Sequence, residues 1–308
     1  MKLNIPASSS LIPRTFGKTV LVSTLLAAAA ATGCTEDSQG SSGLQTELPT
    51  ADQIAVKLPG RQLRAVGELA ELWVDTREIA NEINGAVPWA LELVRTAIEE
   101  PARAVNGNVS SWGPWTAGNV EYQVEVTDLA GGGYEFRLLG RAAGTTGTFE
   151  TLLSGKTLSG SRGELTVDFD ADDRVFPAAH AQTGKVAINY DLEQRSLNVD
   201  VTARVGTSVS TVHHSYKGAA DGGGELLFVV SHDAASASVR SRWQASGAGR
   251  ADARVTADDT NTPEVTASEC WDNQFLLTYS LTTVGGISDT DGDAASCVFA
   301  DAALPPRS

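Results

Sequence analysis

Val120-Glu121-Tyr122-Gln123-Val124-Glu125-Val126-Thr127 reads apolar, polar, apolar, polar without a slip. Successive side chains of an extended strand point to opposite faces, so Val120, Tyr122, Val124 and Val126 share one face and the polar residues the other. The stretch is a half-buried strand with one wet face. The same period recurs downstream. Tyr134, Phe136 and Leu138 alternate with Glu135 and Arg137, and Leu165, Val167 and Phe169 with Glu164, Thr166, Asp168 and Asp170. Val186, Ile188, Tyr190 and Leu192 repeat the pattern, as do Leu197, Val199, Val201 and Val205. Weaker versions fall at 210–217, 225–232, 238–245, 250–257 and 275–283. Gly131-Gly132-Gly133, Gly144-Thr145-Thr146-Gly147 and Asp221-Gly222-Gly223-Gly224 separate the runs as turns. Short spacings without a helical crossover predict an antiparallel meander of about ten strands over 110–300.

About ten strands with one apolar face expose more apolar area than a soluble surface tolerates. The sheet can curl into a barrel, wrap around helices, or cross a membrane with its apolar face toward lipid. Short Gly-broken strands, an Ala- and Thr-rich apolar face and thin aromatic girdles disfavour crossing. The expected fold is mainly β with N-terminal helices: a curved, half-barrel or barrel-like meander packed on a helical hairpin. In outline, and at the level of fold alone, it resembles the half-barrels of periplasmic lipoprotein carriers, which hold acyl chains. An apolar ligand inside such a sheet would meet Tyr122, Phe136, Phe169, Tyr190 and Trp243.

The hairpin is expected over 58–104. Leu63, Val66, Leu69, Ala70, Trp73, Ala80 and Ile83 fall near one face at helical spacing, and Asn84-Gly85 reads as a break. A second helix would start at Pro88, carry Leu91, Val94 and Ile98, and end before Pro101. The mixed polar face (Glu71, Arg77, Glu78, Glu92, Arg95, Glu99) does not suit a membrane surface.

Ahead of the helices, Lys2, Arg14 and Lys18 precede an apolar run from Thr19 to Thr32 and the tetrapeptide Ala31-Thr32-Gly33-Cys34. A run of about 14 residues is too short to span a bilayer. The layout resembles the signal peptide and lipobox of bacterial lipoproteins, with Ala31 where the family prefers Leu. The resemblance implies that residues 1–33 are a leader, that Cys34 carries a diacylglycerol, and that the acyl chains hold the protein to a membrane. Thr35, in place of an Asp, implies the outer membrane. The alternative is an ordinary leader cut after an A-x-A site within Ala27–Ala31. Thr35 to Gly43 is small and polar, and 34–57 is expected to be a flexible tether with a reach of roughly 25 Å; 301–308 reads as a C-terminal tail.

Of the three cysteines, Cys270 and Cys297 remain once Cys34 is set aside. An even remainder in an exported chain reads as a disulfide. The chain has 23 basic and 38 acidic residues; removing the three basic residues of the leader leaves 20 against 38, a net charge of −18. Such a body repels nucleic acid and anionic headgroups, so membrane affinity would have to come from acyl chains.

Ser241-Arg242-Trp243, Gly247-Ala248-Gly249-Arg250-Ala251-Asp252, Glu269-Cys270-Trp271-Asp272 and Ser296-Cys297-Val298-Phe299 resemble recurring blocks of outer-membrane lipoproteins of myxobacterial type. That resemblance implies an envelope location and no particular activity.

Catalytic patterns are thin. His180, His213, His214 and His232 are the only histidines, and His213 and His214 would face opposite sides of a strand. No nucleophile elbow, P-loop, metalloprotease helix or dinucleotide fingerprint occurs. Asp170, Asp172 and Asp173 read as turn carboxylates. Asp289, Asp291 and Asp293, spaced i, i+2, i+4 beside Gly292, are the best metal candidates, for calcium. They depart from an EF-hand loop, with Ala300 in its twelfth position. The expectation is a non-catalytic envelope lipoprotein with a structural or interaction role and an envelope protein partner; the alternative is a binder or carrier of a lipid or acyl chain inside the sheet.

Overall fold

The computed structural model describes residues 42–59, 68–99, 101–158, 161–176, 183–257 and 261–305; the leader, Cys34 and His180 lie outside the described residues. The chain is mainly β. Its strands are β1 (Ala104–Asn106), β2 (Val109–Ala117), β3 (Val120–Asp128), β4 (Tyr134–Ala142), β5 (Glu150–Leu158), β6 (Arg162–Asp168), β7 (Thr183–Asp191), β8 (Ser196–Val205), β9 (Ser208–Gly218), β10 (Gly224–His232), β11 (Ala235–Trp243), β12 (Gly249–Ala257), β13 (Val265–Trp271), β14 (Leu277–Val284) and β15 (Ile287–Gly292). Each pairs antiparallel with its sequence neighbours in one open 15-stranded sheet, β1 and β15 forming its edges.

The deciding stretch behaves as read: Val120, Tyr122, Val124 and Val126 are all buried while their neighbours are not. The strand count corrects the expected ten. Five strands lack clean alternation. β2 carries Gly113-Pro114, a cis bond, at a shift of register between Trp112 and Trp115. β5 has adjacent leucines at a register shift in its pairing with β4. β13 (VTASECW) has small and polar residues between Val265 and Trp271, β15 reads as an acidic loop, and β1 has three residues. Backbone pairing with an ordered neighbour holds β1 and β15, which are exposed throughout, while β2, β5 and β13 also bury Trp112, Leu152, Leu153 and Trp271 out of strict alternation.

The helices differ more. In place of a hairpin, α3 (Glu71–Ala97) runs unbroken through Asn84-Gly85 and Pro88. Its buried stripe, Trp73, Thr76, Ile79, Ala80, Ile83, Val87, Ala90, Leu91, Val94, never loses register. An internal Pro costs about 3 kcal/mol and a Gly about 1. Burying Ile83, Val87 and Leu91 around them contributes about 1.5–3 kcal/mol each, which outweighs the breakers. Asn84 is also pinned, accepting from Val56 N at 2.7 Å and donating to Val56 O at 3.0 Å.

Of the flexible tether expected over 34–57, residues 42–57 are ordered otherwise, and 34–41 lie outside the described residues. From Ser42 on, α1 (Ser42–Glu47) and α2 (Ala51–Ile54) are folded, with Leu44, Leu48, Ile54 and Val56 buried. Helices this short do not stand alone. They hold because Gln45 donates to Ile98 O at 2.8 Å and Arg95 to the carbonyls of Leu48 and Pro49 at 3.2 and 3.1 Å.

α1, α2, α3 and the inner residues of β2 to β11 form one apolar cluster. A second, around Ala70, Leu72, Trp73, Ala251, Trp271 and Phe275, seats the start of α3. There the Trp73 ring stacks on Phe275 at 4.5 Å, with planes 4° apart. One device recurs across the sheet: an aromatic ring reaches over a glycine directly opposite it. The pairs are Phe136 over Gly155, Tyr190 over Gly163, Trp243 over Gly224 and Trp271 over Gly249. A Cβ at Gly249 would stand 2.5 Å from the Trp271 ring.

Candidate functional site

The five residues expected to line a ligand space are packed instead. Tyr122, Phe136, Tyr190 and Trp243 belong to the apolar cluster that includes α3, each at most 6 % exposed. Burial pushes the Tyr190 hydroxyl up to about 12, with Glu47 adding. Phe169 is partly buried and opens a short helix, α4 (Phe169–Val175), where alternation had suggested a strand. Asp168 caps that helix by accepting from Ala171 N at 3.0 Å, which ends β6 one residue before Phe169. Asp170 pairs with Arg204 at 3.0 Å.

The candidate calcium loop is a strand. Asp289 and Asp291 lie on the exposed edge β15, opposite Thr282 and Ser280. Extended backbone spaces them along the edge, so the three carboxylates do not converge on one ion. Asp293 accepts from Ala295 N at 2.9 Å and caps a 3-10 turn, Ala294–Ser296. Among the described residues no group of three or more His, Cys, Asp or Glu side chains is placed to hold a metal.

The adjacent histidines do part. His213 faces out and meets Asp200 at 2.7 Å. His214 faces in against Phe228 at 5.1 Å, and burial lowers it to about 4, with His213 adding and Asp200 opposing. At the end of β10 the structure brings together three residues that no sequence motif marked. Ser210 Oγ lies 2.6 Å from His232 Nδ1, and His232 Nε2 lies 3.4 Å from Asp233. The types are those of a serine nucleophile, its base and an orienting acid. The setting is not, because Ser210 and His232 are a directly opposed cross-strand pair. The side chains of His232 and Asp233 are 58 % and 56 % exposed, so the acid is solvated and cannot hold the imidazole in one orientation. Ser210 itself is buried. The group ties a hairpin end.

The blocks of the C-terminal third converge on one cluster. Asp252 is fully buried on β12 and accepts from Arg250 Nε at 3.0 Å, Arg242 at 3.2 Å, Ser268 Oγ at 2.6 Å and Ala303 N at 2.9 Å. Arg250 donates on to the carbonyls of Phe299 and Ala300 at 3.2 and 3.0 Å, and Arg242 to Asp301 O at 2.7 Å. The Arg242 guanidinium lies over the Phe299 ring at 5.0 Å. The disulfide Cys270–Cys297 fastens the same segment. The expected tail is thus, through residues 301–305, a strap across β11 to β13. A shallow groove of about 370 Å³ beside it is lined by Lys217, Asp221, Gly223, Arg242, Trp243 and Phe299.

A second polar cluster sits at the start of α3. Glu269 on β13 accepts from Leu72 N at 2.8 Å. Burial raises it to about 7 against that hydrogen bond, with Glu71, Asp75 and Glu68 adding. Asp75 is raised to about 6 by burial, Glu78 and Glu71. Only the side chain's position in space marks Glu269 as a cap; its sequence neighbourhood carries no such signal.

Comparison with protein-family models, with curated proteins and with solved structures finds no match to this chain.

Proposed function

We propose that the protein is a non-catalytic lipoprotein of the bacterial outer membrane, anchored through acyl chains on Cys34, whose sheet domain has a structural or interaction role. The observation that carries this reading is the filled interior: Tyr122, Phe136, Tyr190 and Trp243 are buried in one apolar cluster with residues of α1, α2 and α3. The sheet is open, with β1 and β15 at its edges, in place of the expected half-barrel or barrel-like curve, and the inner residues of β2 to β11 share one apolar cluster with α1, α2 and α3. The lipobox-like Ala31-Thr32-Gly33-Cys34 and the C-terminal blocks support the envelope assignment.

Two measurements test it together. Mass spectrometry of the mature N-terminal peptide should find a diacylglycerol on Cys34, and Cys34→Ser should release a folded domain into the soluble fraction. Native mass spectrometry of that soluble domain should find no bound lipid. A co-purified lipid would instead establish the carrier reading, and a Cys34→Ser protein that stays in the membrane would return the spanning barrel.

A further inference from the structure

The folded start of the chain determines which end of the sheet can face the bilayer, an inference that rests on the lipid anchor proposed above. Gly43 lies against the Tyr134 hydroxyl at the start of β4, and Glu47 accepts from Thr157 Oγ1 at 3.2 Å near the end of β5. Thr157 Oγ1 in turn accepts from Tyr134 N at 3.1 Å. α1 is therefore docked at one end of the strands, the end of the β3–β4 turn around Ala130. The opposite end of β4 leads to Thr146. β4 has nine residues, so these ends stand about 30 Å apart.

From Cys34 to Ser42 there are eight residue steps. Whatever path they take, their span cannot exceed about 28 Å at roughly 3.5 Å per residue, and a flexible chain of that length averages about 16 Å. A coil over the whole of 34–57 would leave the domain free to turn; eight steps do not.

We propose that the sheet end carrying α1 and the β3–β4 turn is the membrane-facing surface of this protein, its partner being the lipid headgroup layer, with the β4–β5 end pointing away. The net charge of the mature chain, −18 from 20 basic and 38 acidic residues, supplies no attraction to anionic lipid. Proximity is imposed by the shortness of the connection.

The test uses the full lipidated chain in vesicles that contain a headgroup-nitroxide phospholipid, with a fluorophore on Ala130→Cys or on Thr146→Cys. Both positions are exposed, and Cys270 and Cys297 are bonded to each other. Quenching severalfold stronger at 130 than at 146 is the expected result. Equal quenching, stronger quenching at 146, or none at either position in protein that floats with the vesicles overturns the proposal. Inserting a Gly/Ser spacer of about 20 residues after Ser38, which adds a coil reach of roughly 25 Å, should level the two positions; a contrast that survives the spacer also overturns it. Failure of the anchor itself registers separately, as protein that does not float and an N-terminal peptide without diacylglycerol, and the orientation falls with it.

Discussion

Glu269 on β13 accepts a 2.8 Å hydrogen bond from the backbone N–H of Leu72, the second residue of α3, and so caps a helix that begins nearly 200 residues earlier in the chain. The residue at the helix's own N-cap position, Ala70, has no side chain able to do this. The cap carboxylate is buried among other carboxylates, of Glu71, Asp75 and Glu68.

The cap should make the fold more stable at mildly acid pH than above neutrality, as far as this group is concerned. The Glu269 carboxyl is raised from 4.5 to about 7, so its contribution is fully present below about 4.5 and is lost as pH rises through 7. Asp75, raised from 3.8 to about 6, acts in the same direction. Glu269→Gln keeps an acceptor without the charge and should remove a loss of about 3 kcal/mol at most. Glu269→Leu should cost about 1–3 kcal/mol by leaving the Leu72 N–H unpaired. Urea denaturation of both variants between pH 4.5 and 8 reads the difference.

His214 should act in the opposite sense. Its ring is lowered from 6.5 to about 4. Below pH 6.5 the unfolded chain takes up a proton that the fold refuses until about pH 4, so stability falls as pH drops through that window. The loss is on the order of 3 kcal/mol. His214→Leu, between Val199 and Phe228 on the neighbouring strands, should flatten the acid limb of the stability curve. An acid limb unchanged in the variant would show that His214 is protonated without cost in the fold.

Asp252→Ala should destabilise by about 3–5 kcal/mol, because it leaves Arg250 buried beside no counter-charge. It should also loosen the strap, since Asp252 is the acceptor for Ala303 N and holds the two arginines that reach Phe299, Ala300 and Asp301. Denaturant unfolding measures the first effect. Limited proteolysis, with new cleavage confined to residues 298–305, measures the second. A strap that stays protected in the variant means the disulfide alone fastens it.

Gly249→Ala should cost about 1–3 kcal/mol through overpacking, since its Cβ would meet the carbonyl of Arg242 and the Trp271 ring, each at 2.5 Å. Gly131→Ala is the matched control: nothing lies within 4 Å of the added methyl. A thermal midpoint lowered in the first variant and unchanged in the second is the expected outcome. Equal midpoints would mean that the rings shift aside freely and do not anchor the sheet.

The clean alternation of β3, β4 and β6 to β8 was legible because each of those segments carries its own apolar face. β15 was not, because what orders it is the hydrogen-bond ladder of β14, which leaves no trace in residue type, and β13 was not, because its buried residues, Ser268, Cys270 and Trp271, do not alternate as an apolar face. The same limit applies to the candidate sites. Asp289, Asp291 and Asp293 had ligand-like spacing, but convergence depends on whether the backbone turns or extends, and β14 holds it extended. The acidic cap, the Ser210–His232–Asp233 group and the Asp252 cluster unite side chains from separate elements, and no local window contains them.

The sequence by itself determined the β class, the antiparallel order and the pairing of Cys270 with Cys297, because period-two patterning, short turns and an even cysteine remainder are local or countable properties. Tertiary structure alone decided that α3 crosses Asn84-Gly85 and Pro88 unbroken, that residues 42–57 pack on the domain, and that the inner aromatics share one buried cluster with the helices. Each of these outcomes weighs a local cost of a few kcal/mol against burial supplied by residues far away in the chain, and that balance exists only once the chain has closed on itself.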